Sequence, residues 1–482
     1  MQIQQIMQQS AKAFEAYRQV TPAVRAAFLE TIASELELQR EIMVQTAGEE
    51  TNLPAPRLNG ELTRTTNQLR LFAELIREGS WVDAVIDTAR PDNTPARPDI
   101  RRMLLPIGPV VVFGASNFPF AFSTAGGDTA SALAAGATVV VKGHPAHPRT
   151  SLLAYKAISN AIERSALPAH TVQHVADEGF ETGKALVMDP ATTGVAFTGS
   201  FNGGKALLGY AAQRETPVPV FAEMGSVNPV VFYQDALLTQ GTQLAQTFAA
   251  SITLGMGQFC TNPGLLLGIQ SDALDNFAHS LGGAIAASVP ARMLHKGIHA
   301  AYAKGRAHAL SFEGVALVGQ TSEPAADEAW PAVARTTGKE FLRNPQLAEE
   351  LFGPYSLLVS CTDEAELEQV LRSLKGQLTT TVVGTDKDTT IYKDLITLQA
   401  SLAGRIILNN APTGVEVCAA MVHGGPYPAT TDSRFTSVGT SAIRRWVRPV
   451  CFQNFTDSML PDALKRSNPL GIWRLVDNEF IK

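Results

Sequence analysis

Cys260 stands three residues past a glycine in Gly257-Gln258-Phe259-Cys260-Thr261, with Asn262-Pro263-Gly264 behind it. This reads as a tight turn that presents a thiol. A presented thiol can serve as a nucleophile, since its thiolate attacks carbonyl carbon. It can equally be an inert small hydrophobe, because reactivity depends on surroundings that a sequence does not show. Cys361 and Cys418 lie among apolar or small residues, and Cys451, in Arg448-Pro449-Val450-Cys451-Phe452, reads as part of a packed strand. Glu223 ends the run Val218-Pro219-Val220-Phe221-Ala222 and precedes Met224-Gly225. A carboxylate at the end of an apolar strand is costly unless it is paired or functional. Burial would raise its pKa and suit it to general-base work, whereas bonds from nearby backbone N–H groups would make it structural. Asn117, in Gly114-Ala115-Ser116-Asn117-Phe118-Pro119, can donate to a developing oxyanion or merely close a turn.

Two further segments suit phosphate or ribose. Phe197-Thr198-Gly199-Ser200 leads into a helix with Gly203-Gly204 behind it, and a helix N-terminus can hold a pyrophosphate. The pattern is not the GxGxxG fingerprint. Val141-Lys142-Gly143-His144 puts a cation at a strand end, where a ribose or phosphate could sit; the alternative is a solvated lysine.

These residues need elements to position them. Residues up to about 80 read as helices: Thr21-Pro22 is a cap followed by proline, and Leu62, Leu69, Phe72 and Ile76 form one apolar face. From Arg90 to Pro106, prolines at 91, 95, 98 and 106 mark an extended arm or linker. Short apolar strands at 110–114, 137–142, 171–175 and 194–198 then alternate with helices at 120–135, 151–165, 183–188 and 202–212. That alternation predicts a parallel sheet covered on both faces, with ligands at the carboxyl ends of its strands near Ser116, Lys142 and Ser200. A second α/β region runs from about 217 to about 422.

The bulk numbers narrow the class. The chain has 482 residues, enough for two to four domains, and with 45% apolar and 17% charged residues it is not disordered. Thirty-nine basic against 45 acidic residues give a net charge of −6, which argues against nucleic acid or an anionic membrane as partner but not against a local cationic pocket. No apolar run is long enough for a membrane span, and the start at Met1 lacks the charged and apolar regions of a signal peptide. Four cysteines without metal-ligand spacing predict no metal and no disulfide scaffold, and fit a cytoplasmic setting.

Six segments, taken in order, resemble the aldehyde dehydrogenase superfamily over nearly the whole chain. They are Ser116-Asn117-Phe118-Pro119, Val141-Lys142, Phe197-Thr198-Gly199-Ser200, Glu223-Met224-Gly225-Ser226-Val227-Asn228-Pro229, Gly257-Gln258-Phe259-Cys260 and Glu350-Leu351-Phe352-Gly353-Pro354. The resemblance implies a Rossmann-type cofactor domain (1–88 and 107–222), an α/β catalytic domain (223–422) and a small oligomerisation arm with the C-terminal segment (89–106 and 445–482). It implies Cys260 as nucleophile, Asn117 with the Cys260 N–H as oxyanion hole, and Glu223 as activator of the hydrolytic water. Ser116, Lys142, His144, Ser200, Gly225, Glu350 and Phe352 would hold NAD or NADP, and a dimer or tetramer is expected.

Departures from the family pattern refine this. Many NAD-dependent members carry a glutamate three residues after the Lys142 position, and here Pro145 stands there. The loss of that carboxylate, with His144 and Arg149 nearby as cations, predicts a preference for NADP. Gly225-Ser226-Val227 replaces the usual Gly-Gly-Lys, and His423-Gly424-Gly425-Pro426-Tyr427-Pro428-Ala429 with Arg434-Phe435-Thr436-Ser437-Val438-Gly439 is also unusual. Both are similar to the branch of α-ketoglutaric semialdehyde (2,5-dioxovalerate) dehydrogenases, whose acidic substrate would need a cation such as Arg434. Arg434 can equally be an ordinary loop or interface arginine. A fatty or broad-range aldehyde dehydrogenase, a thioester-forming acyl transferase and a non-catalytic protein on the same fold are the alternatives.

Overall fold

The N-terminal segment folds into α1 (Ile3–Tyr17), α2 (Pro22–Leu38), α3 (Arg40–Thr51) and α4 (Ala55–Glu78) in the computed structural model, which describes residues 3–176 and 179–482. Thr21 caps α2, its Oγ1 accepting the Val24 N–H at 3.4 Å. On α4, Leu62, Leu69, Phe72 and Ile76 are all buried in the core shared with α2. The same helix carries a second, polar stripe: Arg57, Glu61, Arg64 and Gln68 recur at helical spacing, with Glu61 and Gln68 buried.

The chain then forms β1 (Val85–Asp87) and β2 (Ile100–Pro106), and enters an alternation that matches the expected one closely. In order come β3 (Val110–Phe113), α5 (Gly127–Ala135), β4 (Val139–Lys142), α6 (Pro148–Arg164), β5 (Val172–Val175), α7 (Phe180–Met188), β6 (Gly194–Thr198), α8 (Phe201–Ala212) and β7 (Val220–Glu223). These five strands make a parallel sheet ordered β5-β4-β3-β6-β7. One element differs from expectation: the helix predicted from Phe120 begins only at Gly127. The Phe120 and Ala121 N–H groups are taken by Glu61 Oε1 at 2.8 and 3.0 Å, and Gly126 packs so tightly on the Ala121 carbonyl that a Cβ would lie 2.4 Å from its oxygen. The segment is therefore a folded turn bound to α4.

A second sheet contains β8 (Val230–Phe232), β9 (Leu265–Ile269), β10 (Ala316–Gln320), β11 (Ala332–Thr337), β12 (Tyr355–Cys361), β13 (Gln377–Val383) and β14 (Ala403–Leu408). Its order is β10-β11-β12-β9-β8-β13-β14, parallel except for β10, and α9 (Gln234–Thr253) packs its Phe248 on Phe232. A third sheet joins β15 (Val447–Gln453), β16 (Arg474–Val476) and β17 (Glu479–Ile481) to the earlier strands in the order β15-β2-β1-β16-β17. It takes in Val85–Asp87, ahead of the stretch at 89–106. Cys451 does not sit in a packed position: it lies on the edge strand β15 and is exposed.

Because α4 serves both the core and the polar stripe, its packing is testable. Phe72→Ala should cost about 3–5 kcal/mol, seen as a fall in the urea midpoint of unfolding.

Candidate active site

Glu223 is the last residue of β7, and its backbone is stitched to a distant segment. The Met224 N–H donates to the Ala429 carbonyl at 2.8 Å, and Glu223 forms an isolated bridge with Thr430. This stitching folds residues 423–437 over the strand end. Ser437 Oγ then donates to Glu223 Oε2 at 2.6 Å, and His423 Nε2 lies 2.9 Å from Oε1. The histidine contact lies off the line of a good hydrogen bond, so it is chiefly electrostatic. Both side chains are enclosed, at 0% and 3% exposure. The same ring nitrogen, His423 Nε2, is 3.4 Å from Cys260 Sγ. Among the described residues, the acidic, histidine and cysteine groups close enough to share a metal ion are these three, and they contact one another.

The turn that presents Cys260 follows α9 through three left-handed residues, Gly255, Met256 and Gly257. Position 257 requires glycine, since φ is +63° and a Cβ would stand 2.2 Å from the Gly353 carbonyl oxygen. Asn228 Nδ2 holds the Cys260 and Asn262 carbonyls, each at 2.9 Å. Gln377 Oε1 in turn accepts the Val227 and Asn228 N–H groups at 2.9 and 3.1 Å and lies 2.8 Å from Ser226 Oγ. The unusual Ser226 is thereby wired to the start of β13. Asn117, 8% exposed, donates from Nδ2 to the Gln258 carbonyl at 3.1 Å, which brings it against the same turn. Its own carbonyl accepts from Arg57 Nη2 at 2.7 Å.

The electrostatics differ from the sequence expectation in one respect. Burial pushes the Glu223 carboxyl up, but His423, the Ser437 hydroxyl and Cys260 outweigh it, so its pKa falls below the usual range instead of rising. Glu223 is thus a carboxylate at neutral pH. Burial, the charge and hydrogen bonding of Glu223, and the charge of Glu350 push the Cys260 thiol well above its usual value, and Arg64 pulls it down.

Ser116 follows β3, Lys142 ends β4 with His144 just beyond it, and Ser200 follows β6. The chain runs from β3 outward through β4 to one edge and through β6 to the other, so these strand ends flank the point where strand order reverses, where open parallel sheets bind ligands. Ser200 caps α8, accepting the Gly203 N–H at 3.2 Å. The expected cations are corrected here. Burial, His147, His295 and Lys142 lower the His144 pKa to about 3, so it is neutral, and Arg149 is paired with Glu49 and Glu50. Glu350 and Phe352 line one cavity with Ser226, Gly257 and Phe259. Gly225 is the neighbour that makes this fit possible, since a Cβ there would stand 2.2 Å from Glu350 Oε2. Glu350 is an exposed residue whose carboxyl is raised to about 7 by its apolar surroundings, against the pull of the Ser226 N–H.

Arg434 is not brought to this site. Its guanidinium is 80% exposed and pairs with Asp432 at 2.5 Å. Sequence reasoning missed His423, Ser437, Gln377 and the α4 stripe. The only sequence signal for the stripe was three charged residues at helical spacing beside an apolar face; His423 and Ser437 lay in segments noted as unusual but without a role.

A cysteine beside a histidine and a carboxylate, next to a parallel sheet with a ligand crevice, supplies the groups that covalent catalysis through a thiol requires. The sequence pattern of the aldehyde dehydrogenase family matches residues 1–292. The chain is 47% identical to "Alpha-ketoglutaric semialdehyde dehydrogenase 2" of Azospirillum brasilense over 97% of its own length and 89% of the relative's. It is 45% identical to "Alpha-ketoglutaric semialdehyde dehydrogenase" of Acinetobacter baylyi, over 99% and 91%. The fold matches the solved γ-glutamyl-γ-aminobutyraldehyde dehydrogenase of Burkholderia cenocepacia with a TM-score of 0.77 at 22% identity, over 94% of this chain and 88% of that one. The chain belongs to the aldehyde dehydrogenase family. It is an oxidoreductase acting on aldehydes with NAD(P), not a non-catalytic protein on the same fold. Among the described residues, no helix is long and apolar enough to cross a membrane.

The raised thiol pKa has a direct consequence. In the protein without nucleotide, alkylation of Cys260 by iodoacetamide should rise roughly tenfold per pH unit without levelling off by about pH 9. Glu223→Gln removes a negative charge that disfavours the thiolate, so it should speed alkylation at pH 8 by roughly tenfold. Mass-spectrometric quantification of the Cys260 peptide reads both.

Proposed function

We propose that the chain oxidises 2,5-dioxopentanoate (α-ketoglutaric semialdehyde) to 2-oxoglutarate through covalent adducts on Cys260. The contact of the Cys260 thiol with His423, itself against Glu223, carries the chemistry of this reading. The names of the two near-full-length relatives support the substrate.

The thiol proton that the raised pKa of Cys260 otherwise retains passes to the Glu223–His423 pair, whose Nε2 touches both Sγ and Glu223 Oε1. The thiolate forms a C–S bond to the aldehyde carbon, and the carbonyl oxygen becomes an oxyanion. The Asn117 amide has two N–H bonds; one goes to Gln258, and the other, with the Cys260 backbone N–H, meets the oxyanion. Such donors contribute about 3–4 kcal/mol each. NAD or NADP, when bound, supplies the hydride acceptor that converts this adduct to a thioester. Glu223, held as a carboxylate, then takes a proton from water; the water oxygen bonds to the thioester carbon, the C–S bond breaks and the acid leaves. A carboxylate so close to Cys260 favours hydrolysis over acyl transfer.

For the nucleotide, Ser116 and the N-terminus of α8 with Ser200 suit the pyrophosphate, and Lys142 and the backbone beside His144 suit the adenosine ribose. Glu350 against Gly225 suits the nicotinamide ribose, with Phe352 beside the ring. The close Gly225–Glu350 approach and the strand-end crevice fit such a group. NADP preference rests on Pro145 and on the cation of Lys142, since His144 is neutral and Arg149 is paired. Residues 1–88 and 107–222 form the nucleotide part and those from 223 to 422 the catalytic part. The third sheet, which exposes Trp473, Phe480 and Ile481, is the arm by which copies form a dimer or tetramer. Four unpaired cysteines support a cytoplasmic setting.

Absorbance at 340 nm tests the chemistry. Cys260→Ala should abolish oxidation of every aldehyde. Glu223→Gln should keep a single-turnover burst while the steady-state rate falls roughly 100-fold or more; an unchanged steady state would count against Glu223 as the base. The same assay should give a higher kcat/KM with NADP than with NAD, and the reverse order would refute the Pro145 argument.

A further inference from the structure

The polar stripe of α4 faces the reacting thiol through a box of aromatic rings. The Arg64 guanidinium carbon lies 5.2 Å from the centre of the Phe122 ring and 5.9 Å from that of Phe118. Arg57 lies 5.1 Å from Phe118 and 4.8 Å from Phe259. These rings flank the site itself: Phe118 follows Asn117, Phe259 precedes Cys260, and Phe122 is 6.3 Å from the His423 ring. Val415, Val417 and Met421 pack on the same apolar cluster.

The two arginines are not equivalent. Arg57 spends Nη2 on the Asn117 carbonyl. Arg64 makes no side-chain hydrogen bond among the described residues, and its Nε and Nη2 are buried without an acceptor. Neither arginine forms an ion pair among the described residues. Glu61, the acid between them on the helix, gives Oε1 to two backbone N–H groups. Arg405, the other cation whose charge reaches Cys260, is spent on the Pro412 and Gly414 carbonyls. Arg64 also feels Glu61, Cys260, Glu223 and Glu416, so it lies within electrostatic reach of the reacting groups. Cation–π contact offsets part of the cost of a buried cation but leaves its N–H donors unused. The donors of a guanidinium form a planar fork that matches a carboxylate.

We propose that Arg64 is the carboxylate-binding residue of the substrate site, receiving the acid end of a short oxo acid whose aldehyde reaches Cys260. This rests on the reading of the substrate above. Arg57 is a positioning residue that holds the Asn117 backbone beside it. The two ends of a five-carbon oxo acid are about 5 Å apart when extended, and Phe122 contacts both the Arg64 guanidinium and the His423 ring. An α-keto oxygen beside the carboxylate would accept from the same fork. A long alkyl aldehyde would instead lay its tail over the cation. Arg434, exposed and paired, is thereby replaced as the specificity residue.

The test compares two aldehydes of equal length, 5-oxopentanoate and pentanal. In the unaltered enzyme the ratio of kcat/KM values should favour the acid. Arg64→Met should lower that ratio at least 100-fold, mostly through KM for the acid, and Arg64→Lys should give an intermediate value. An unchanged ratio, or an equal fall for both aldehydes, would overturn the proposal, the second because it assigns Arg64 to the thiol instead. Should the variants fail to fold, the unaltered protein still decides. Phenylglyoxal labelling mapped by peptide mass spectrometry should show 2-oxoglutarate and glutarate protecting Arg64, and protection of Arg434 instead would overturn it. If the unaltered enzyme does not favour the acid at all, the substrate reading fails; if it does and the Arg64 variants keep the ratio, only this inference fails.

Discussion

A charged carboxylate enclosed at the end of β7 is the constraint around which this site is organised. Burial alone would neutralise Glu223. Its charge is kept by a hydroxyl and an imidazole from residues 423–437, 200 or more positions away in the chain. The Met224–Ala429 hydrogen bond and the bridge to Thr430 bring that segment in, so the sheet edge and the charge are satisfied by the same stretch of chain. The cost is borne by the neighbouring thiol, which the carboxylate holds protonated. In the mechanism proposed above, a thiol so suppressed must give up its proton to the pair behind it, and His423 touches both Cys260 and Glu223.

The same economy appears on α4. One face of the helix is core, with Phe72 and Leu69 fully packed. The adjoining stripe organises the loop after β3: Glu61 holds Phe120 and Ala121, and Arg57 holds Asn117. The late start of α5 and the placement of the Asn117 amide therefore have one cause. On the catalytic side, Gln377 and Asn228 do the equivalent work for the turn at Cys260. Both turns that meet at the reacting atoms are clamped by buried side chains, the arrangement that keeps hydrogen-bond donors aimed without reorganisation.

The nucleotide side is governed by close approach. Gly257 admits the Gly353 carbonyl at a distance that any side chain would forbid, and Gly225 lies against the Glu350 carboxylate. Ser116, Lys142 and Ser200 arrive together because parallel strands place successive loops at one end of a sheet.

Local patterns were legible in the residues themselves. The alternation of short apolar strands and helices from 110 to 212 is recovered to within about three residues at each end except the start of α5, because a strand buried on both faces must be continuously apolar. The turns at Asn117 and Cys260 and the strand-end position of Glu223 could be read for the same reason: each follows from residues adjacent in sequence. Charge states and long-range partners could not. Whether Glu223 rises or falls depends on His423 and Ser437, whether His144 is a cation depends on His147 and His295, and whether Arg434 or Arg64 faces the thiol depends on which helix the loop after β3 packs against. The sequence determined the elements and the reacting residue types, since these depend on local periodicity and turn chemistry. The tertiary structure decided protonation and access, since electrostatic energies depend on distances between groups that the chain brings together only when folded.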